Sequence, residues 1–298
     1  MFLYQTKDNS KNCILKIFDL EDEKIYEKLI NLRIISSINN FNQINGFNCL
    51  YLCGIEQNII NESNKIGSYL LKINFDEYKI NILVNSIYPH VNPSLLIYKK
   101  EKLIVIGGKE QIDCEFYNIK DSFWKELPFL PEDRFKCSII EDELNDNIYI
   151  FGGFSIIKKK NMTTILKLNM NIMNEWKILN IKENENYLAR NSSICLNFDD
   201  SDNILILGGY DNKNEKTEYI IEYNYEQNSI KKLNKNLNKI SSFDLQGNVN
   251  LHKNYFVFLD IDNYIHIIKK KDFNLSLINI NDIFKIYVKK KSKILSKL

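Results

Sequence analysis

Apolar positions along this chain gather into short uninterrupted runs, and the runs recur. Three six-residue stretches end at a double glycine: LIVIGG (103–108), IYIFGG (148–153) and ILILGG (204–209). Their last residues are 45 and 56 positions apart. Stepping back 54 from Gly108 reaches CLYLCG (49–54), a further 48 reaches MFLYQT (1–6), and 51 forward from Gly209 lies YFVFLD (255–260). Six apolar hexamers about fifty residues apart tile the chain, and a period of that size is the signature of a repeat architecture.

A second pattern runs in phase with the first. Downstream of each hexamer an apolar residue, a polar turn and another apolar residue span eight positions: FDLEDEKI (18–25), INFDEYKI (73–80), YNIKDSFW (117–124), YNYEQNSI (223–230) and IKKKDFNL (268–275). The fourth copy, LNMNIMNEW (168–176), carries one extra residue. Each predicts a strand end, a hairpin turn and the start of the next strand.

The combined unit, IVIGG…YNIKDSFWKELPFLPEDR in its fullest copy, resembles the kelch repeat: a strand ending in Gly-Gly, then Tyr, a polar turn, and Trp seven residues later. Copies three to five keep the double glycine, copies three and four keep the tryptophan (Trp124, Trp176), and the others follow by phase alone. The resemblance covers the whole chain and implies an all-β, six-bladed kelch-type β-propeller, a single domain over 1–298. Its blades are expected at approximately 1–35 with 281–292, 36–85, 86–131, 132–182, 183–235 and 236–280. A blade cannot cover both of its faces alone, so each packs against two neighbours, with tyrosine and tryptophan supplying area between them. The glycines allow close backbone approach near the crowded axis. The first copy lacks its first strand, and IFKIYVKK (283–290) is spare at the other end. A C-terminal strand closing the first blade would remove two raw sheet edges.

Composition narrows the function classes. The 298 residues are 44% hydrophobic, so a sizeable core is expected, and the net charge of +2 argues against a dedicated nucleic-acid surface. Asn, Ile and Lys are abundant in every segment, as a codon-composition bias would produce, so lysine carries less information here than the three arginines, Arg33, Arg134 and Arg190. No signal peptide and no membrane-spanning run are visible. The six scattered cysteines read as reduced thiols buried in strands of a cytoplasmic protein. Four Asn-X-Ser/Thr sequons (Asn61, Asn161, Asn191, Asn274) are expected by chance in so Asn-rich a chain.

Catalytic constellations are missing: there is no G-x-S-x-G, P-loop, H-E-x-x-H or dinucleotide fingerprint, no metal-ligand spacing, and no cofactor motif. Arg134 and Arg190 stand out because each lies 18 residues before the first glycine of its pair, at the start of the first strand, with His90 within one residue of that offset in the preceding copy. In the kelch family such arginines line one mouth of the channel and bind acidic peptides, so the resemblance implies a partner-binding patch of Arg134, Arg190 and His90. The alternative is that the arginines cap loops or pair with Glu132 or Asp133. The lysine runs at 156–162, 267–273 and 287–298 are expected to be solvated loops and tail. The expected function is a non-catalytic scaffold or adaptor that holds a protein partner, an acidic peptide or loop, through one rim. The competing class is a propeller enzyme acting on a sugar, of mutarotase or oxidase type.

Overall fold

The computed structural model of the chain describes residues 67–236, except 75–78, 143, 182–184, 198–202 and 218, and outside that span the strands named below. The first sheet holds β1 (Phe2–Tyr4), β2 (Asn12–Asp19) and β3 (Lys24–Asn31). The second holds β4 (Ile38–Gly46), β5 (Cys49–Glu56), β6 (Tyr69–Asn74) and β7 (Ile80–Ile82). The third holds β8 (Ser94–Tyr98), β9 (Lys102–Gly108), β10 (Gln111–Asn118) and β11 (Phe123–Leu127). In the fourth, β12 (Ser138–Asp142) and β13 (Asn147–Phe151) are followed by a small separate hairpin of β14 (Phe154–Ser155) and β15 (Lys160–Asn161). That sheet then continues with β16 (Ile165–Asn169) and β17 (Lys177–Leu179). The fifth holds β18 (Ile194–Asn197), β19 (Asn203–Leu207), β20 (Tyr219–Asn224) and β21 (Ser229–Asn236), and the sixth β22 (Asn250–His252), β23 (Tyr255–Leu259), β24 (Tyr264–Lys269) and β25 (Leu275–Asn279). All pairings are antiparallel.

The chain is therefore all-β, a series of meander sheets of the propeller-blade type. Among the described residues helix is confined to a short 3-10 turn, Glu185–Leu188. The double glycines close the second strand of their sheets, and each of the six polar octamers or nonamers falls between a third strand and the fourth strand paired to it, or between the equivalent strands of the first sheet. The chain IFKIYVKK (283–290), expected to close the first blade, lies outside the described residues.

The sheets fall into two compact units. Residues Met1–Ser36 with Val249–Leu298 form one, holding the first and sixth sheets, and Ser37–Asn248 form the other. Within the second unit the first strands stand side by side, with β8 between β4 and β12, and β12 next to β18. Successive residues of a strand point to opposite faces, and here each face meets a different sheet. Leu103 and Val105 join Tyr51 and Cys53 of the second sheet, while Ile104 and Ile106 join Ile148, Ile150 and Leu166 of the fourth. Tyr149 and Phe151, between those isoleucines in sequence, turn the other way to meet Ile204, Ile206 and Tyr223 of the fifth. Burial on both faces is the physical reason that the hexamers are apolar without alternation.

The tryptophans stitch the same interfaces. Trp124 packs on Tyr117 with ring centroids 5.3 Å apart and donates Nε1–H to the Val84 carbonyl (2.7 Å), beyond β7 of the preceding sheet. Trp176 repeats the bond one sheet on, to the Pro128 carbonyl (2.8 Å). A serine seam joins the inner strands: Ser94 Oγ donates to Cys137 O (3.0 Å) and Ser138 Oγ to Ser193 O (2.6 Å).

Candidate functional site

In a four-stranded meander the start of strand one, the end of strand two, the start of strand three and the end of strand four share one rim. In the second unit this rim collects the segments between sheets, around residues 83–93, 128–137 and 185–193, and the loops after the double glycines at 109–110, 154–164 and 210–217. Gly107 and Gly152 adopt left-handed φ values of +55° and +57°, open to glycine and strained for other residues. A Cβ on Gly107 would lie 2.5 Å from the Arg134 carbonyl oxygen, and a Cβ on Gly152 would collide with that of Arg190. The same carbonyls accept hydrogen bonds from Gly108 N (3.2 Å) and Gly153 N (2.8 Å). The crowding that requires glycine thus comes from the lead-in to the next sheet, which each pair seats.

The three residues singled out by their offset occupy equivalent positions, and all are buried: His90 is 0% exposed, Arg134 0% and Arg190 1%. Arg134 donates from Nη1 to Thr164 O (3.0 Å) and from Nη2 to Thr164 Oγ1 (2.6 Å) and Glu132 Oε1 (3.1 Å). Arg190 donates from Nε to Tyr187 O (3.0 Å) and from Nη1 to Gly208 O (2.9 Å), with its guanidinium 4.7 Å from the centre of the Tyr219 ring. Burial draws both guanidinium pKa values below their ordinary value. His90 Nδ1 lies 2.8 Å from Gly107 O, and its Nε2 lies 2.8 Å from Glu115 Oε1. In this conformation each side chain clasps loops of its own sheet, Arg134 through Glu132 as well, while Arg134 Nε and Arg190 Nη2 are buried without a hydrogen-bond partner.

Residues that sequence reasoning passed over do the remaining building. Glu115 is fully buried, and its carboxylate accepts Ile87 N (2.8 Å) and Tyr88 N (3.1 Å) as well as facing His90. A carbonyl can only accept, so His90 Nδ1 carries a proton for Gly107, and one proton must lie between Nε2 and Glu115. Asp133, also buried, accepts from Ser155 Oγ and from the backbone of Ile156 (2.8 Å) and Ile157 (3.4 Å), fixing the β14–β15 hairpin. Asn161 donates from its side chain to Ala189 O (3.2 Å) and Tyr210 O (2.9 Å) and from its backbone N–H to Asn212 Oδ1 (2.8 Å), and its Oδ1 accepts from Asn191 Nδ2 (2.9 Å). Glu115 had a signal, a lone charge inside the run CEFY. Asn161 had none in a chain so rich in asparagine.

Glu132 carries opposing influences: burial raises its pKa, but the bonds from Lys158 and the charge of Arg134 outweigh this and hold it below the ordinary value. Among the described residues no group of three or more His, Cys, Asp or Glu is placed to hold a metal ion, and no helix is long and apolar enough to cross a membrane.

The architecture defines a propeller-type repeat protein. Residues 127–259 match the family model of recombination activating protein 2. The match covers less than half of the chain, from the end of β11 through β23. It corrects the resemblance drawn from the repeat motif, since the family whose model matches is this one and not a kelch-repeat family. The matched family has a kelch-like six-bladed propeller fold, which is why the two signatures overlap. No curated protein matches the chain.

Proposed function

We propose that the chain is a non-catalytic scaffold that binds a protein partner through the rim carrying the double-glycine loops, with residues 1–298 acting as one domain in the cytoplasm. The observation that carries this reading is the way the rim is built. Buried polar pairs (Glu115 with His90, Arg134 with Glu132) and the Asn161 network are used to fix loops, not to line an open cleft. Loops held rigidly on stacked sheets form a recognition surface whose ordering is already complete before binding. The match to a family named for activating recombination supports an accessory, contact-making role over a sugar-transforming one. The buried thiols, none of them disulfide-bonded among the described residues, support a reducing compartment.

Affinity purification of the tagged chain from its native cells tests the proposal. A stoichiometric protein partner is expected, with no turnover in a panel of aldose substrates. Recovery of the chain alone together with sugar conversion would overturn it.

A further inference from the structure

The fourth and fifth sheets carry the longest described loops after their double glycines, and these two loops are joined. In the third sheet two residues, Lys109 and Glu110, make the same connection. The β14–β15 hairpin is anchored on one side by Asp133 and by paired backbone bonds between Phe135 and Phe154 (3.1 and 2.9 Å), whose rings meet edge to face at 5.9 Å. On the other side Asn161 ties it to Tyr210 and Asn212 of the loop after β19. That loop is closed by Asp211, which accepts from the backbone of Lys213 (2.8 Å) and Glu215 (2.9 Å). Both bases are therefore fixed, and the tips stand free side by side.

The tips are basic with one apolar knob. Residues 154–161 and 210–217 contain five lysines (158, 159, 160, 213 and 216) against two acids, Asp211 and Glu215. Ile157 is 73% exposed, and Lys158, Lys159 and Lys160 follow it into solvent, with Lys159 at φ +53° turning the chain back. Lys158 pairs with Glu132. Among the described residues, Lys159, Lys160 and Lys213 have no carboxylate at ion-pair distance.

We infer that these joined tips are the docking surface for an acidic protein segment bearing a hydrophobic residue, the carboxylates meeting Lys159, Lys160 and Lys213 and the apolar side chain meeting Ile157. The inference rests on the proposed function and names the place and chemistry of its contact. Charge complementarity selects an anionic partner. The exposed isoleucine selects protein over nucleic acid, because single-strand binders stack bases on presented aromatic rings. Neither tip carries an arginine, and the rings nearby, Phe154 and Tyr210, are half-buried at the loop bases.

The test uses the full chain and a fluorescein-labelled peptide of mixed glutamate and aspartate with one central leucine, read by fluorescence polarisation. Binding that weakens with added salt is expected, with a loss of about tenfold or more in the Lys159→Glu, Lys160→Glu double variant. Ile157→Ser is expected to erase the preference for the leucine peptide over its alanine counterpart. All three positions are exposed, and an unchanged melting temperature verifies folding. No peptide binding by the wild type, wild-type binding by the double variant, or tighter binding of a duplex or single-stranded DNA oligonucleotide would overturn the inference. A native-cell partner retained by the double variant overturns this surface alone, whereas the absence of any partner for the wild type overturns the scaffold proposal itself.

Discussion

Replacing Gly107 with alanine probes the joint between neighbouring sheets. The backbone there has φ +55°, and the new Cβ would lie 2.5 Å from the Arg134 carbonyl oxygen and 3.1 Å from Leu130 Cδ1. Holding an L-residue in the left-handed region costs about 1–2 kcal/mol. The collision pushes the carbonyl away from Gly108 N, a 3.2 Å hydrogen bond, whose loss adds about 0.5–1.5 kcal/mol. A total near 2–3 kcal/mol is expected. With an m value of about 2–3 kcal/mol/M, urea unfolding followed by tryptophan fluorescence would show a midpoint lower by about 1 M. Lys213→Ala, at an exposed loop position, serves as the control and is expected within about 0.5 kcal/mol of wild type. A Gly107→Ala midpoint equal to that of wild type would refute the claim that the glycine pair seats the next sheet.

Other outcomes follow from the same contacts. His90→Ala removes one partner of the fully buried Glu115 carboxyl group, leaving it the backbone of Ile87 and Tyr88, and a destabilisation of about 1–3 kcal/mol is expected in the same urea assay; a change below about 0.5 kcal/mol would contradict the buried contact. Asp146 is held down to about 2, first by its bond from Lys99 and then by Asn171 and Tyr98, below the ordinary value of 3.8. Its contribution is therefore full above about pH 4 and lost as pH falls toward 2, so the stability gap between wild type and Asp146→Asn should close over that interval; a gap that is constant from pH 6 to 2 would contradict the pairing. Burial pushes the Cys114 and Cys195 thiols well above their ordinary range, so both should resist iodoacetamide in the native protein and react once unfolded, as mass spectrometry would show. Rapid native labelling of either would contradict its burial.

The strands were legible because their physical demand is simple. A blade buried on both faces needs runs such as Leu103–Ile106, and a turn needs a polar break, so period and phase located the hairpins. The equivalence of His90, Arg134 and Arg190 was legible too, as equal spacing to the glycines. Their direction was not: one offset fits a guanidinium turned to solvent or to Thr164 and Gly208, and only the packing of the loops decides. Composition hid another device. Asn118, Asn169 and Asn224 each end a third strand and accept turn backbone bonds, from Asp121 (2.9 Å), Asn171 (3.1 Å) and Gln227 (2.7 Å). In a chain read as codon-biased toward asparagine, that repeated capping role passed for background. The lysine tip at 158–160 was discounted for the same reason, since sequence alone does not show that Asp133 and Asn161 fix the hairpin beneath it.

The central claim is that one rim, the rim of the double-glycine loops, carries the partner. Zero-length carbodiimide cross-linking of the natively captured complex, mapped by mass spectrometry, addresses it directly because the reagent joins lysine to a carboxylate in contact. Links from the partner's aspartates and glutamates to Lys158, Lys159, Lys160 or Lys213 are expected. Links confined to Lys99, Lys100 and Lys120, in the hairpin turns at the opposite ends of the strands, would contradict the account.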